Sequence, residues 1–183
     1  MKTHSLALVT LLALGLPFAT VTAQMPSATA VPAGQLAQSD VDFLLSANSS
    51  NIKQIAMAHT AETGGVNPGV TALANKIVSS HTKADQALRL LAGPKHVDLP
   101  STADSTTQSE IAELHTHKRG GDFDSEYLRD VIADHDRMIG MYEAARNGSQ
   151  DADIRRYADT MLPALRANRE QATSLVKRQT GSK

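Results

Sequence analysis

The sequence predicts an all-α protein: an antiparallel four-helix bundle with one short extra helix in its crossover. Apolar residues recur at alternating steps of three and four, the period of helices that bury one face in a bundle. Glycine, proline and asparagine interrupt these patterns where helices begin and end. Strand signals are missing from the sequence, which has no alternating β-branched runs joined by a hairpin turn.

The first 23 residues have the features of a secretory signal peptide. Lys2 supplies a basic start, and an apolar run follows from Leu6 to about Ala19. Residues 21–23, VTA, offer the small side chains that signal peptidase reads. The apolar run is shorter than the roughly 20 residues of a membrane-spanning helix. We therefore expect cleavage after Ala23 and a mature protein in the periplasm, either free or peripheral to the cell envelope.

The composition of the rest of the chain predicts a leader, one domain and a short tail. The 183 residues are enough for one domain with a sizeable core. Residues 24–38 are rich in alanine, proline and small polar residues, which is typical of a flexible leader. We expect the helical-bundle domain at 39–178 and a short tail at 179–183.

Five helices are predicted within this domain. Ser39 or Asp40 is expected to cap the first helix, Asn67 the second and Asp122 the fourth. Pro163 is expected to bend the last helix, because proline removes a backbone donor. The predicted helices are 39–63, 68–92, about 106–118, 123–146 and about 150–177.

Three apolar stripes each carry one polar residue near the middle of a helix. These residues are His81, His135 and Asn168. Because the middles of antiparallel neighbours lie at about one level, the three side chains are predicted to converge. The first helix has two candidate inner faces, between which periodicity does not choose. One face holds Leu44, Ala47, Asn51, Gln54 and Ala58, and the other holds Val41, Leu45, Ile52, Ile55 and His59.

Two interpretations of the inner polar residues stay open. In the first, Gln54, His81, His135 and Asn168 form a buried network of hydrogen bonds, with one or two waters. In the second, the two histidines bind a transition metal such as Zn, Cu or Fe, with Asp134 or Asp85 as a carboxylate ligand. A di-iron centre is not expected, because the sequence has no Glu-x-x-His motif.

Composition also excludes several classes of function. The net charge is −1, which favours neither nucleic acid nor an anionic membrane surface. Cysteine is absent from the sequence, so it has no disulfides, thiolate nucleophile or cysteine metal site. There is no Gly-rich phosphate loop, nucleophile elbow or HExxH motif. Whether the protein is an enzyme stays open, and these absences favour a non-enzyme.

Several stretches of the chain are distinctive in combination: DVDFLLSAN, VSSHTKADQALRLLA, VDLP, FDSEYLRDVIADHDRMIGMYEAA and YADTMLPALRANREQA. With them, the chain from about Asp40 to Lys177 resembles a ferritin-like family of exported bacterial proteins. The family is catalogued as domain of unknown function 4142, and its members are often labelled membrane or outer-membrane proteins. The resemblance implies a ferritin-like bundle and supplies no activity.

The resemblance also implies a pattern of inner polar residues. The family pattern has Glu in the first helix, Asp-His in the second and fourth, and His five residues after the proline of the last. The face of the first helix that carries Gln54 is the one that fits this pattern. Losing a carboxylate and an imidazole weakens the metal site that the pattern implies. The matching residues are His81, Asp134 and His135, and the departures are Gln54, Ser80 and Asn168 in place of Glu, Asp and His.

We therefore expect an exported helical-bundle protein that is not catalytic. It would bind an envelope protein or a small ligand, or act in envelope stress, without a cofactor and without nucleic acid. No transmembrane segment is expected in the mature chain. The alternative is a metal-binding or redox protein of ferritin-like type that uses His81 and His135, with Asp134 beside them.

Overall fold

The structure is a computed structural model that describes residues 36–116 and 121–181. The predicted signal peptide and nearly all of the predicted leader lie outside these residues. Within the two described ranges the chain forms five α-helices, one 3₁₀ turn and no strand. The helices are α1 (Gln38–Gly64), α2 (Pro68–Ala92), α3 (Ser105–Thr116), α4 (Gly121–Gly148) and α5 (Ala152–Gly181), with the 3₁₀ turn Gly93–Lys95 after α2.

Helix α2 has the predicted bounds, and α1 does not. Asn67 caps α2 by accepting a hydrogen bond from the backbone N–H of Gly69 at 2.8 Å. Helix α1 begins at Gln38, and the residue before it, Ala37, makes no side-chain cap. The prediction of a cap at position 39 or 40 was therefore wrong. Asp40 lies in the first turn instead, where a carboxylate interacts favourably with the helix N-terminus.

The starts of α4 and α5 also differ from the prediction. Asp122 lies inside the first turn of α4 and is not its cap. Helix α5 is capped by Asp151, whose Oδ1 accepts hydrogen bonds from the backbone N–H groups of Asp153 (2.9 Å) and Ile154 (3.1 Å). The helix continues without interruption through Pro163, whose side chain is exposed. An exposed proline is tolerated there because water can reach the carbonyl that loses its partner.

The four long helices contact one another in pairs. Helix α1 packs on α2 and α4, and α5 packs on α4 and α2, while α3 lies against α1 and α4. The contacts between α1 and α4 run in opposite order along the two helices. Phe43 packs on Tyr142 with ring centroids 5.1 Å apart, and Gly64 lies against Phe123. A Cβ at position 64 would come within 3.0 Å of that ring, so glycine permits the close approach.

The core consists of two apolar clusters with a polar level between them. Along α2, Ile77 belongs to one cluster and Leu88 to the other, and His81 lies between them. The other three long helices repeat this order, with buried polar residues between apolar ones. The polar residues of the level are Asn51 and Gln54 of α1, His81 of α2, Asp134 and His135 of α4, and Asn168 of α5.

The inner face of α1 is the one that carries Gln54. Leu44, Ala47 and Ala58 are fully buried on this face. On the alternative face, the side chain of Leu45 is 38% exposed and His59 is exposed as well. In the parts of the chain that the structure describes, no helix has the length and apolar character needed to cross a membrane.

The turn between α1 and α2 is held by a buried carboxylate from α4. Asp124 is only 1% exposed. Its Oδ1 accepts a hydrogen bond from the backbone N–H of Val66 at 3.2 Å, and its Oδ2 accepts one from Asn67 at 2.9 Å. One side chain therefore satisfies two backbone donors that the turn leaves without helical partners.

We expect Asp124→Ala to lower the free energy of unfolding by about 2–3 kcal/mol, because two backbone donors lose a charged acceptor. Urea denaturation followed by circular dichroism measures this change. Asp122→Ala, an exposed change in the same turn of α4, is the matched control. Equal stability of the two variants would contradict the role of Asp124.

Candidate functional site

The polar level forms the candidate site, because it brings side chains from four helices together inside the protein. The four residues of the predicted network are all at most 2% exposed. Asn51, which the sequence analysis did not select, is fully buried beside them. The network residues are Gln54, His81, His135 and Asn168.

The two histidines face each other at the centre of this level. Their Nε2 atoms are 3.4 Å apart. The ring planes are perpendicular, at 89°, with centroids separated by 5.4 Å. His81 is 2% exposed and His135 is fully buried, so bulk water does not separate the two nitrogens.

The hydrogen bonds at the other ring nitrogens assign the tautomers. His135 Nδ1 lies 2.9 Å from the carbonyl oxygen of Val131, which can only accept, so this nitrogen carries a proton. His81 Nδ1 lies 2.9 Å from Asn51 Oδ1, and it donates to that oxygen when the amide has this orientation. In the neutral rings both Nε2 atoms then hold lone pairs, and these lone pairs face each other.

Burial keeps both rings neutral. It lowers the pKa of His81 to about 3, and the neighbouring His135 lowers it further. Burial also lowers the pKa of His135 to about 4, against the opposing effects of the Val131 carbonyl and of Asp136. At neutral pH each ring is therefore neutral and carries a single N–H proton.

Asp134 faces away from the histidine pair. Its Oδ2 accepts a hydrogen bond from Gln54 Nε2 at 2.8 Å. Its Oδ1 accepts one from Lys53 Nζ at 3.2 Å, and the Arg137 guanidinium contacts the same oxygen. Among the described residues, no three His, Asp or Glu side chains form a group able to hold a metal. The structure thus brings His81 and His135 together without the predicted carboxylate.

The other polar residues near the pair also have partners of their own. Asp85 accepts hydrogen bonds from Asn48 Nδ2 at 3.0 Å and from Arg89 Nε at 2.8 Å, so it does not join the histidines. Asn168 Nδ2 donates to Ser80 Oγ at 3.1 Å. Ser80 therefore links α5 to the turn of α2 that carries His81.

Three buried amide atoms of the polar level have no hydrogen-bond partner among the residues that the structure describes. They are Asn51 Nδ2, Gln54 Oε1 and Asn168 Oδ1. An unpaired buried polar atom costs about 1–3 kcal/mol, so native proteins fill such positions with water or a ligand. The two amide oxygens can serve either a water or a cation.

Two features of the site were not predicted: the contact of Asn51 with His81, although the sequence placed Asn51 on the Gln54 face, and a tyrosine pair at the neighbouring level. Tyr157 OH donates to the carbonyl oxygen of Ala84 at 3.1 Å, and Tyr142 OH lies 3.3 Å from Tyr157 OH. The signal for Asn51 was present in the sequence. It lies three residues before Gln54 and therefore on the same helical face.

Comparisons with known proteins agree with a helical protein. The sequence profile of the family described as Domain of unknown function (DUF4142) matches residues 25–175. No curated protein matches the chain. Among solved structures, CopM in the Cu(II)-bound form has a TM-score of 0.64 and 16% identity, covering 76% of this chain and 97% of CopM. The Cu(I)-bound form of CopM has a TM-score of 0.64 and 18% identity, covering 76% and 96%.

A further solved structure, a DUF305 fragment from Deinococcus radiodurans, has a TM-score of 0.68 and 14% identity. The match covers 79% of this chain and 99% of the fragment. At these identities the likeness concerns the fold alone.

We expect the protein to lose stability on acidification below pH 6.5. The unfolded histidines take up protons near that pH, whereas burial lowers the pKa of His81 to about 3 and of His135 to about 4 in the folded protein. The stabilisation is thus present above pH 6.5 and is lost as the pH falls toward the folded values. Between pH 7 and pH 5 the two rings together account for roughly 4 kcal/mol.

Urea denaturation at a series of pH values measures this loss, and His81→Leu/His135→Leu is its control. We expect this variant to stay helical and to lose much less stability between pH 7 and pH 5. A pH dependence as steep as that of the unchanged protein would mean that other groups cause the loss.

Proposed function

The chain belongs to the family described as Domain of unknown function (DUF4142). From this premise we propose that it is an exported, non-catalytic metal-binding protein. The proposed ion is one copper ion, held by His81 and His135. The proposed architecture is a ferritin-like antiparallel four-helix bundle at residues 39–178, with α3 in the crossover. A signal peptide (1–23), a leader (24–38) and a tail (179–183) complete the proposed organisation.

The observation that carries this proposal is the close approach of the two buried Nε2 atoms. Two neutral nitrogens 3.4 Å apart repel each other unless a proton or a cation lies between them, and protonation of both rings at Nδ1 leaves that place to a cation. Nitrogen ligands of a tetrahedral metal site, with bonds of about 2.0–2.1 Å, lie about 3.3–3.4 Å from each other. The spacing of the pair thus fits two ligands of one ion.

The hydrogen bonds behind the pair support the same role. Histidines that bind metals commonly donate the other ring N–H to an oxygen acceptor, which fixes the tautomer and the ring orientation. Asn51 and the Val131 carbonyl are such acceptors here. The unpaired amide oxygens of Gln54 and Asn168 belong to the same polar level and are candidate additional ligands.

Copper in its monovalent state fits this set of donors better than a hard divalent ion does. Imidazole binds Zn, Cu, Fe and Ni, whereas Mg and Ca require carboxylates and other oxygens. The histidine pair has no carboxylate beside it as a further ligand of the ion. A single positive charge also costs less to bury than a double one. Structures of CopM with the same fold contain Cu(I), Cu(II) or Ag, which agrees with this choice.

A bound copper ion would supply one-electron chemistry, but the surroundings favour storage or transfer of the ion over catalysis. Gln54 and Asn168 are neutral and belong to the same polar level as the pair, so they provide neither a general base nor a charge. The exported location is a further part of the proposal and follows from the predicted signal peptide.

We expect the mature protein to bind Ag(I), a redox-inert substitute for Cu(I), with shifts of the His81 and His135 ring signals in nuclear magnetic resonance (NMR) spectra. His81→Leu/His135→Leu should lower the affinity of this site at least 100-fold in a titration against a competing chelator. His59→Leu/His96→Leu, which removes two exposed histidines, is the matched control. An unchanged affinity in the first variant would refute the proposed site.

We expect Asn51→Leu to weaken the histidine-bound ion about 10–100-fold, because loss of such a supporting hydrogen bond has this effect in other metal sites. Asn51→Asp, which keeps an acceptor, should bind nearly as well as the unchanged protein. Nitrogen-15 NMR spectra of the metal-free protein should show His81 protonated at Nδ1. Protonation at Nε2 instead would mean that the two rings share a direct hydrogen bond and that the first, metal-free interpretation is correct.

A further inference from the structure

We propose that a second ion-binding site lies in the small cavity lined by Met138 and Met141, where a soft monovalent ion, Cu(I) or Ag(I), binds beside the histidine pair. The inference builds on the proposed function, because the second site would deliver the ion that His81 and His135 hold. Its thioether donors, Met138 and Met141, are not ligands of the histidine site, so it can fail by itself.

The cavity lies between α1 and α4 and has a volume of about 100 Å³. Gln54 forms part of the α1 wall, and Met138 and Met141 form part of the α4 wall. The two methionines are three residues apart, which places both on the same face of α4. Met138 is only 3% exposed, whereas Arg137 at the cavity wall is exposed, so the space runs from the surface to the core.

The chemistry of this lining suits a soft ion. Thioether sulfur is a soft donor that selects Cu(I) over hard cations. Gln54 is 1% exposed, and its Oε1 has no hydrogen-bond partner among the described residues, although its Nε2 donates to Asp134. Methionine and glutamine both occur as weak ligands in copper sites. The cavity thus combines two soft donors with a buried oxygen that lacks a partner.

Charge at the cavity disfavours a hard divalent ion. Asp134 is the carboxylate of the lining, and it already contacts two cationic side chains. Lys53 Nζ lies 3.1 Å from its Oδ2, and the Arg137 guanidinium contacts its Oδ1. With this carboxylate neutralised, the donors that remain in the lining are uncharged: the two thioethers, the Gln54 amide oxygen and the Ser50 hydroxyl.

Residues that line the cavity lie one helical turn from His135 on α4 and from Asn51, the partner of His81, on α1. Gln54 lies one helical turn after Asn51, whose Oδ1 is 2.9 Å from His81 Nδ1. Met138 lies one turn after His135 and on the same face of α4. The two proposed sites therefore use adjacent turns of α4.

Titration of the mature protein with Ag(I) tests the inference, with ions counted by native mass spectrometry and methionine methyl groups observed by NMR. We expect two bound ions in the unchanged protein and shifts of the Met138 and Met141 methyl signals. Met138→Leu/Met141→Leu, which conserves volume, should bind one ion and keep the shifts of the histidine signals. Met57→Leu/Met161→Leu removes two other thioethers as a control and should still bind two.

The outcomes separate this inference from the proposed function. His81→Leu/His135→Leu should lose the histidine ion and still shift the methyl signals. Unmoved Met138 and Met141 signals in the unchanged protein would overturn the second site even if a leucine variant did not fold. Methyl shifts without histidine shifts would support the second site and contradict the proposed function.

Discussion

The burial of two neutral imidazoles against each other is the constraint on which the rest of the structure depends. Their Nε2 atoms face each other 3.4 Å apart, and the Nδ1 atom of each ring lies against an oxygen on its other side. Asn51 of α1 and the Val131 carbonyl of α4 supply these oxygens. The level thereby fixes how α1, α2 and α4 align along their axes, because sliding one helix by a turn would break a bond and leave a buried polar atom unpaired.

Much of the fold was predictable because the determining signals are local. The cap Asn67 followed by Pro68 marks the start of α2, and the structure begins the helix there. Other helix ends were predicted wrongly. Good capping residues exist there, but contacts with distant segments decide where the helix begins. Asp122 is a favourable cap by composition, yet α4 already begins at Gly121, and the buried Asp124 is committed to the α1–α2 turn.

The candidate site was predictable in its positions but not in its pairings. A polar residue in an apolar stripe marks a buried position, and this located His81, His135 and Asn168. Which atoms meet depends on side-chain directions and on contacts between distant segments. Asp134 accepts from Gln54, 80 residues earlier in the chain, and so turns away from the histidine that follows it. No periodicity in the sequence contains that information, and the role of Asn51 depends on it in the same way.

The carboxylate of Asp124 also makes the α1–α2 turn depend on a distant segment. Its two oxygens accept hydrogen bonds from backbone amides that lie 58 and 57 residues earlier in the chain. The turn therefore cannot satisfy these amides when the first two helices form by themselves. In hydrogen-exchange terms, the amides of Val66 and Asn67 become reporters of α4: they are protected from solvent only while that helix is docked, however stable the hairpin of α1 and α2 is.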